Sequence, residues 1–324
     1  MNALRWFFFS ASLFATLTLA AVALPACGGG DKTDVKAPTA EPGMDDALSL
    51  LPGNAIAAGT VDARAFFSSQ TFGADLAKLV EKYVPIGSEA GFQASRDVDR
   101  VTFASYSYQG IDVAAIVIGR FDSAKIKLVA TNQTPTKSGG TLVVSQYTGR
   151  DVYTINNVGF TLLSDTRAIV GTEQGIRRVL ERIKDKRVKR EIAPWMISTI
   201  ETSGAALAVA ADFASTPIPP ENTRQIPGSM SPLVTNLKAA RLVATFKDGV
   251  TLAGSITYAD AASAEASAAV VKQSMGYAKL LAVFGIKLQN VDVKTDKSDV
   301  QVSLLVDDQS LRALLANVPS LMGQ

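Results

Sequence analysis

Histidine is absent from this 324-residue sequence, and cysteine occurs only once, at position 27. Without histidine the chain can form neither a Ser-His-Asp triad nor a Cys-His pair, and it offers no imidazole to a metal. A single cysteine excludes an intramolecular disulfide. Hydrophobic residues make up 47% of the chain, which excludes a low-complexity polymer and a wholly disordered protein. Most of the familiar catalytic apparatus is therefore missing.

Without histidine, paired carboxylates or a serine activated by lysine could still support catalysis. The carboxylate pairs Asp97 with Asp99 and Asp307 with Asp308 precede a predicted strand and a predicted helix, where acidic residues cap the backbone. Ser123-Ala124-Lys125 has the spacing S-x-K rather than S-x-x-K. The sequence contains neither a G-x-S-x-G elbow nor a D-x-[DN]-x-[DN]-G calcium loop. We therefore predict a protein that is not an enzyme and has no metal or cofactor.

The N-terminal 26 residues have the composition of an export signal. A short basic start is followed by residues 6–24, which are uncharged and largely apolar. The next segment, Leu24-Pro25-Ala26-Cys27, resembles the lipobox of bacterial lipoproteins. The resemblance implies that residues 1–26 are a signal peptide and that Cys27 receives the lipid, including palmitate, as the first mature residue. The alternatives are an uncleaved membrane anchor and a cleaved signal peptide that releases a soluble protein.

Residues 27–44 are predicted to be a lipidated tether, because they are rich in Gly, Pro and charge and lack apolar periodicity. The remaining chain is then exported and held at a membrane of the cell envelope, so nucleic acid is not expected as a partner. Gly28, in place of Asp, favours the outer over the inner membrane by the sorting rule that the resemblance implies. The body, opening on Leu51-Pro52-Gly53-Asn54-Ala55, loosely resembles uncharacterised exported bacterial lipoproteins, which brings no known active site.

Two similar halves, residues 45–192 and 193–324, are predicted from the order of the elements. Each half has the order strand, helix or loop, hairpin, helix, strands and helix. The strongest hairpin signal is Asp248-Gly249, which separates two apolar segments. We therefore predict an α+β fold that arose by duplication. Each half is expected to be an antiparallel sheet with helices packed on one face, in β-α-β-β-α-β-like units.

The most unusual segment is residues 177–190 (RRVLERIKDKRVKR), with eight Lys or Arg against two acidic residues, a net charge of +6. An apolar stripe at helical spacing accompanies it: Ile176, Val179, Leu180 and Ile183. We predict an amphipathic helix that buries this stripe and leaves all eight cations mostly in solvent. These cations are Arg177, Arg178, Arg182, Lys184, Lys186, Arg187, Lys189 and Arg190. They form either an ordinary solvated face or a contact for anionic lipid or another envelope polyanion.

The sequence predicts a membrane-tethered envelope lipoprotein that binds or scaffolds without catalysis. The alternative is a carrier that holds a lipid or another hydrophobic ligand between the sheet and its helices. Tyr106 and Tyr108 bear on this alternative, because they lie on one side of a predicted strand. They either pack beneath a helix or line an apolar groove. No protein partner is indicated.

Overall fold

The structure is a computed structural model, and it describes residues 44–109, 111–137, 139–155, 158–224, 226–246, 249–278 and 287–313. The predicted signal peptide, Cys27 and the tether up to residue 43 lie outside these residues, as does Asp248 of the predicted hairpin turn. In the part of the chain that is described, no helix is both long and apolar enough to cross a membrane.

Short helices alternate with strands in the described chain. The α-helices are α1 (Ala47–Leu50), α2 (Ala63–Phe67), α3 (Gly73–Tyr83), α4 (Ala94–Asp97), α5 (Ser123–Thr131), α6 (Glu173–Lys184), α7 (Pro194–Ile200), α8 (Pro220–Thr223) and α9 (Ala261–Ala278). Residues 308–313 are also helical. The strands are β1 (Ala57–Val61), β2 (Val98–Ser105), β3 (Val113–Gly119), β4 (Val143–Tyr147), β5 (Arg150–Ile155), β6 (Val158–Ser164), β7 (Arg167–Gly171), β8 (Leu207–Asp212), β9 (Leu237–Phe246), β10 (Val250–Tyr258), β11 (Leu288–Asp296) and β12 (Asp299–Val306).

Acidic N-caps begin several of these helices. Asp62, Asp122, Asp260 and Asp307 each accept a hydrogen bond from a backbone N–H three residues later, at 2.7–2.9 Å. These bonds satisfy amide donors that have no partner within the helix. Hydrogen bonds from Lys125 and Ser263 lower the pKa of Asp122 and Asp260, respectively. The capping role predicted for Asp307 is therefore confirmed.

All twelve strands belong to one antiparallel sheet, in the order β11-β12-β10-β9-β8-β1-β2-β3-β7-β6-β5-β4. The predicted α+β class is confirmed. The expectation of a separate sheet in each half is wrong, because β1 pairs with β8 along its whole length, from Ala57 opposite Ala211 to Val61 opposite Leu207. Outward from this contact the strands follow β1-β2-β3-β7-β6 on one side and β8-β9-β10-β12-β11 on the other. The proposed duplication stays a prediction.

Helices cover both faces of the sheet, so the prediction of helices on one face is wrong. Successive residues of a strand point to opposite faces. Ile169 packs against α6, whereas its neighbour Val170 packs against the cluster that contains α5. We call the first side the α6 face, which α1 and α7 also cover. The opposite side is the α9 face, because the register carries it from Val170 across to Ile256, which packs with α9.

Candidate functional site

The basic segment, residues 177–190, starts within α6, whose position on the sheet depends on one glycine. A Cβ on Gly175 would lie 2.2 Å from the carbonyl oxygen of Val113 in β3, so only glycine permits this close approach. Three residues of the predicted apolar stripe, Ile176, Val179 and Leu180, are at most 1% exposed, and the fourth, Ile183, is half-buried against the same core. Helix α6 therefore has one fixed face toward the core, and the basic side chains spread from its flanks and its end.

The helix ends at Lys184, six residues before the basic segment does. Asp185 is its C-cap, and Lys186 has a left-handed backbone with φ of 56°. The predicted helix is thus correct for the first half of the segment, while residues 185–190 are not helical. The segment divides into a helical part and a non-helical part with different surroundings.

Arg182 contradicts the prediction that all eight cations lie in solvent, because it is only 3% exposed. Its Nη1 lies 2.5 Å from Oε2 of Glu191, and its Nη2 donates to the carbonyl oxygens of Lys189 at 2.9 Å and Ser49 at 3.3 Å. The planar guanidinium therefore connects three parts of the chain: α6, the non-helical segment that follows α6, and α1. Hydrogen bonding from Arg182 lowers the pKa of the Glu191 carboxyl.

Arg178 is half-buried and is also occupied by the fold. It forms a salt bridge with Asp112, and its guanidinium lies 4.7 Å from the ring centre of Tyr106. Burial raises the pKa of Tyr106, whose hydroxyl donates to the carbonyl of Pro52 at 3.4 Å. Tyr106 therefore packs beneath α6. Tyr108 instead donates to the carbonyl of Thr216 at 2.5 Å, and burial raises its pKa to about 12.

Most remaining cations of the segment have carboxylate partners as well. The pairs are Arg177 with Glu173 at 2.5 Å, Arg187 with Asp185 at 3.1 Å, Lys189 with Glu191 at 3.5 Å, and Arg190 with Asp46 at 2.5 Å and Glu201 at 2.6 Å. Five carboxylates from outside the segment pair with it, which lowers its net charge from +6 to +1. They are Asp46, Asp112, Glu173, Glu191 and Glu201.

The first described residues are fixed beside the end of the basic segment. Arg190 holds Asp46, and Arg167 donates to the carbonyl oxygen of Met44 at 2.6 Å and to Asp45 at 3.0 Å. Hydrogen bonds to the carboxylates of Asp46 and Glu201 raise the pKa of the Arg190 guanidinium above its usual value. The chain that precedes residue 44 therefore joins the fold next to these arginines.

Four exposed cations lie at the C-terminal end of α6 and in the residues that follow it, and we call them the basic loop: Lys184, Lys186, Arg187 and Lys189. Within the part of the chain that the structure describes, Lys184 and Lys186 have no carboxylate within 4.0 Å. The side chains of Arg187 and Lys189 are 55% and 72% exposed despite their partners. The basic loop is where the positive charge of the segment reaches solvent.

Two of the cavities that flank this region have several charged residues in their walls. One of about 530 Å³ is lined by Arg178, Arg182, Arg187 and two glutamates. The other, of about 600 Å³, lies between α1 and the end of α7, and Asp62, Arg100 and Glu201 contribute to its wall. Neither is an apolar chamber, so neither supports the hydrophobic-carrier alternative. Among the described residues, no three His, Cys, Asp or Glu side chains group to hold a metal ion.

No family model and no curated protein matches this sequence. Its fold is similar to that of TP0453, solved in several crystal forms. Form IV matches with a TM-score of 0.47 and 11% identity, form III with 0.48 and 12%, and form I with 0.48 and 10%. Each match covers 84% of this chain and 96–98% of the other. Similarity at this level says nothing about the activity of the chain.

Proposed function

We propose that the protein is a lipid-anchored envelope protein that acts by binding and turns its basic loop toward an anionic membrane surface. The observation that carries the proposal is the junction at residues 44–46. There Arg190, the last cation of the basic segment, is bonded to Asp46. A tether attached at this junction leaves the fold beside the basic loop, so the loop faces the surface that holds the tether.

The tether has a suitable length for this geometry. Sixteen residues separate Cys27 from Met44, and a flexible coil of that length spans on the order of 20–25 Å. That distance clears a lipid headgroup layer but keeps the folded part near the surface. Charges that approach within a Debye length of about 8–10 Å interact with anionic lipids. The basic loop can therefore contact headgroups without any insertion of the fold.

The structure narrows which cations contribute to this contact. A lysine or arginine near an anionic surface contributes about 1 kcal/mol. The contribution of Arg177, Arg178, Arg182 and Arg190 is offset by the carboxylates bonded to them. Lys184 and Lys186 are expected to contribute most, since no carboxylate within the described residues pairs with them.

The anchor is tested by mass spectrometry of the mature N-terminus isolated from membranes. We expect an acylated Cys27 as the first residue of the wild-type protein, and no acylation in Cys27→Ser. An unmodified Cys27, or a mature N-terminus elsewhere, would contradict the anchor.

The surface contact is tested on the unlipidated chain 28–324 by flotation with vesicles. Binding to vesicles that contain anionic phosphatidylglycerol should exceed binding to phosphatidylcholine vesicles, because basic residues are attracted to anionic lipid. Salt at about 0.5 M should remove the difference because it shortens the Debye length. Equal binding to both vesicle types at low salt would contradict the contact while leaving the anchor intact.

A further inference from the structure

The two edges of the sheet differ in how they are protected against pairing with another strand. Edge strand β11 carries Asp292, Lys294 and Asp296, and its register with β12 is irregular between Gln289 and Asp292. Charges and irregular register are the devices by which natural edge strands avoid association. Asn290, within the irregularity, has a left-handed backbone with φ of 49°. The β11 edge is therefore protected.

The opposite edge, β4, has none of these devices. Its sequence, VVSQY, contains no charge and no proline, and its register with β5 is regular over all five residues. Val143 is 61% exposed and Val144 is 44% exposed, on opposite faces of the sheet. An uncharged edge with exposed β-branched side chains is a surface suited to strand addition.

The hairpin geometry fixes which backbone groups β4 offers. Strands β4 and β5 are joined by the two-residue turn Thr148-Gly149, with φ of 51° and 78°, as in a type I′ turn. Tyr147 and Arg150 flank the turn as a hydrogen-bonded pair, so alternate residues, Ser145 and Val143, also bond to β5. The N–H and C=O groups of Val144 and Gln146 therefore point away from the sheet.

We propose that β4 is a dimerisation edge, which pairs antiparallel with β4 of a second copy around a two-fold axis at Ser145. In this register Val144 of one copy exchanges two hydrogen bonds with Gln146 of the other, and the symmetry repeats them. Val143 lies opposite Tyr147, a β-branched and aromatic pair of the kind that stabilises sheets. All five residues of β4 are paired, and the sheet continues from twelve to twenty-four strands.

Charge and symmetry identify a second copy as the occupant. A two-fold interface places the same residues opposite each other, so a charged edge would repel its copy, whereas β4 carries no charge. The two-fold axis of an antiparallel strand pair is perpendicular to the sheet, so the α6 faces of both copies lie on one side. Both junctions at residues 44–46 then lie on that side too. This last point rests on the proposed anchor, under which two tethered copies meet without leaving their membrane.

The test is oxidative cross-linking of Ser145→Cys in the full-length protein in its membrane. At the two-fold axis the two Cα atoms are roughly 4.5 Å apart, as in a non-hydrogen-bonded pair, which a disulfide spans. Thr154→Cys on β5 is the matched control. Thr154 pairs with Val143, so its two copies lie three strand spacings apart across the sheet and four residues apart along it, a separation of roughly 19 Å. We expect a disulfide dimer for Ser145→Cys, and no more cross-linking than in the wild-type protein for Thr154→Cys.

Charge substitutions at the same position provide the second arm. Ser145→Lys and Ser145→Glu, each alone, should be monomeric in detergent by sedimentation, whereas the two expressed together should form a mixed dimer. The proposal is overturned if Ser145→Cys cross-links no more than Thr154→Cys, or if Ser145→Lys remains dimeric. Failure of the proposed anchor can be distinguished from failure of the proposed dimer. The anchor is tested by the mass of the N-terminus, whereas the dimer is tested by sedimentation, in which Cys27→Ser should still be dimeric.

Discussion

Arg182 and Lys184 stand two positions apart in the same basic segment, yet they have opposite surroundings. The Arg182 side chain is 4% exposed and bonded to Glu191, whereas Lys184 is exposed. The rotation of the helix explains the difference, because two residues along α6 turn the side chain by about 200°. A charge run in a sequence is therefore not a charged surface. Here Arg178 and Arg182 of α6 are bonded into the fold, and the basic loop carries the positive charge to solvent.

The largest effect should come from removing the buried cation. Arg182→Ala leaves Glu191 without its partner and two carbonyl oxygens without their donor, so we expect the free energy of unfolding to fall by about 3 kcal/mol. Lys184→Ala is the matched control, with an expected change within about 0.5 kcal/mol. Urea unfolding measures both. Equal changes in the free energy of unfolding for the two substitutions would contradict the claim that Arg182 is bonded into the fold and Lys184 is not.

A smaller loss should follow when α6 is pushed away from the sheet. Gly175→Ala places a Cβ in contact with the carbonyl of Val113, and the backbone must shift to accept it. Overpacking of this kind costs about 1–3 kcal/mol. Gly204→Ala is the comparison for backbone strain without a steric clash. Its added Cβ meets no atom within 4 Å, but its φ of 75° is strained for alanine. A Gly175→Ala protein as stable as the wild type would show that the close approach is not required.

The smallest effect concerns pH. The bond from Arg182 lowers the pKa of Glu191 in the folded state below its unfolded value of about 4.3. A depressed carboxyl pKa adds stability above the unfolded pKa, and this stability is lost as the pH falls through the folded pKa. Glu191→Gln should therefore weaken the loss of stability below about pH 4, with Lys184→Gln as the control. An unchanged acid limb in Glu191→Gln would show that the pair contributes no pH dependence.

Local features of the fold could be predicted from the sequence, because each depends on neighbouring residues. The stripe of Ile176, Val179 and Leu180 predicts the buried face of α6, and the cap at Asp307 predicts where the last described helix begins. The alternating segments around residue 248 likewise predict the β9–β10 hairpin. These signals report a period or a hydrogen bond within a few residues.

Long-range features could not be predicted in this way. The pairing of β1 with β8 joins residues 146 to 154 positions apart, from Val61 with Leu207 to Ala57 with Ala211, and no local pattern specifies it. An apolar stripe shows that one face of a helix is buried, but it does not show which side of a sheet the helix covers. The sequence therefore led to the prediction of helices on one face, whereas they cover both. The burial of Arg182 depends on Ser49, a carbonyl 133 positions away. Arg182 falls outside the apolar stripe of α6, so the sequence pattern identifies it only as a polar position and not as a buried one.

The central claim is that the basic loop, and not the whole basic segment, meets the membrane. The most direct test compares the affinity of two double variants of the unlipidated chain 28–324 for anionic vesicles. Lys184→Gln with Lys186→Gln removes two charges of the basic loop, and Lys127→Gln with Lys272→Gln removes two exposed charges from helices on the α9 face. At about 1 kcal/mol per charge, the first variant should bind roughly 30-fold more weakly than wild type, and the second should bind as wild type does. Equal losses in the two variants would contradict the claim.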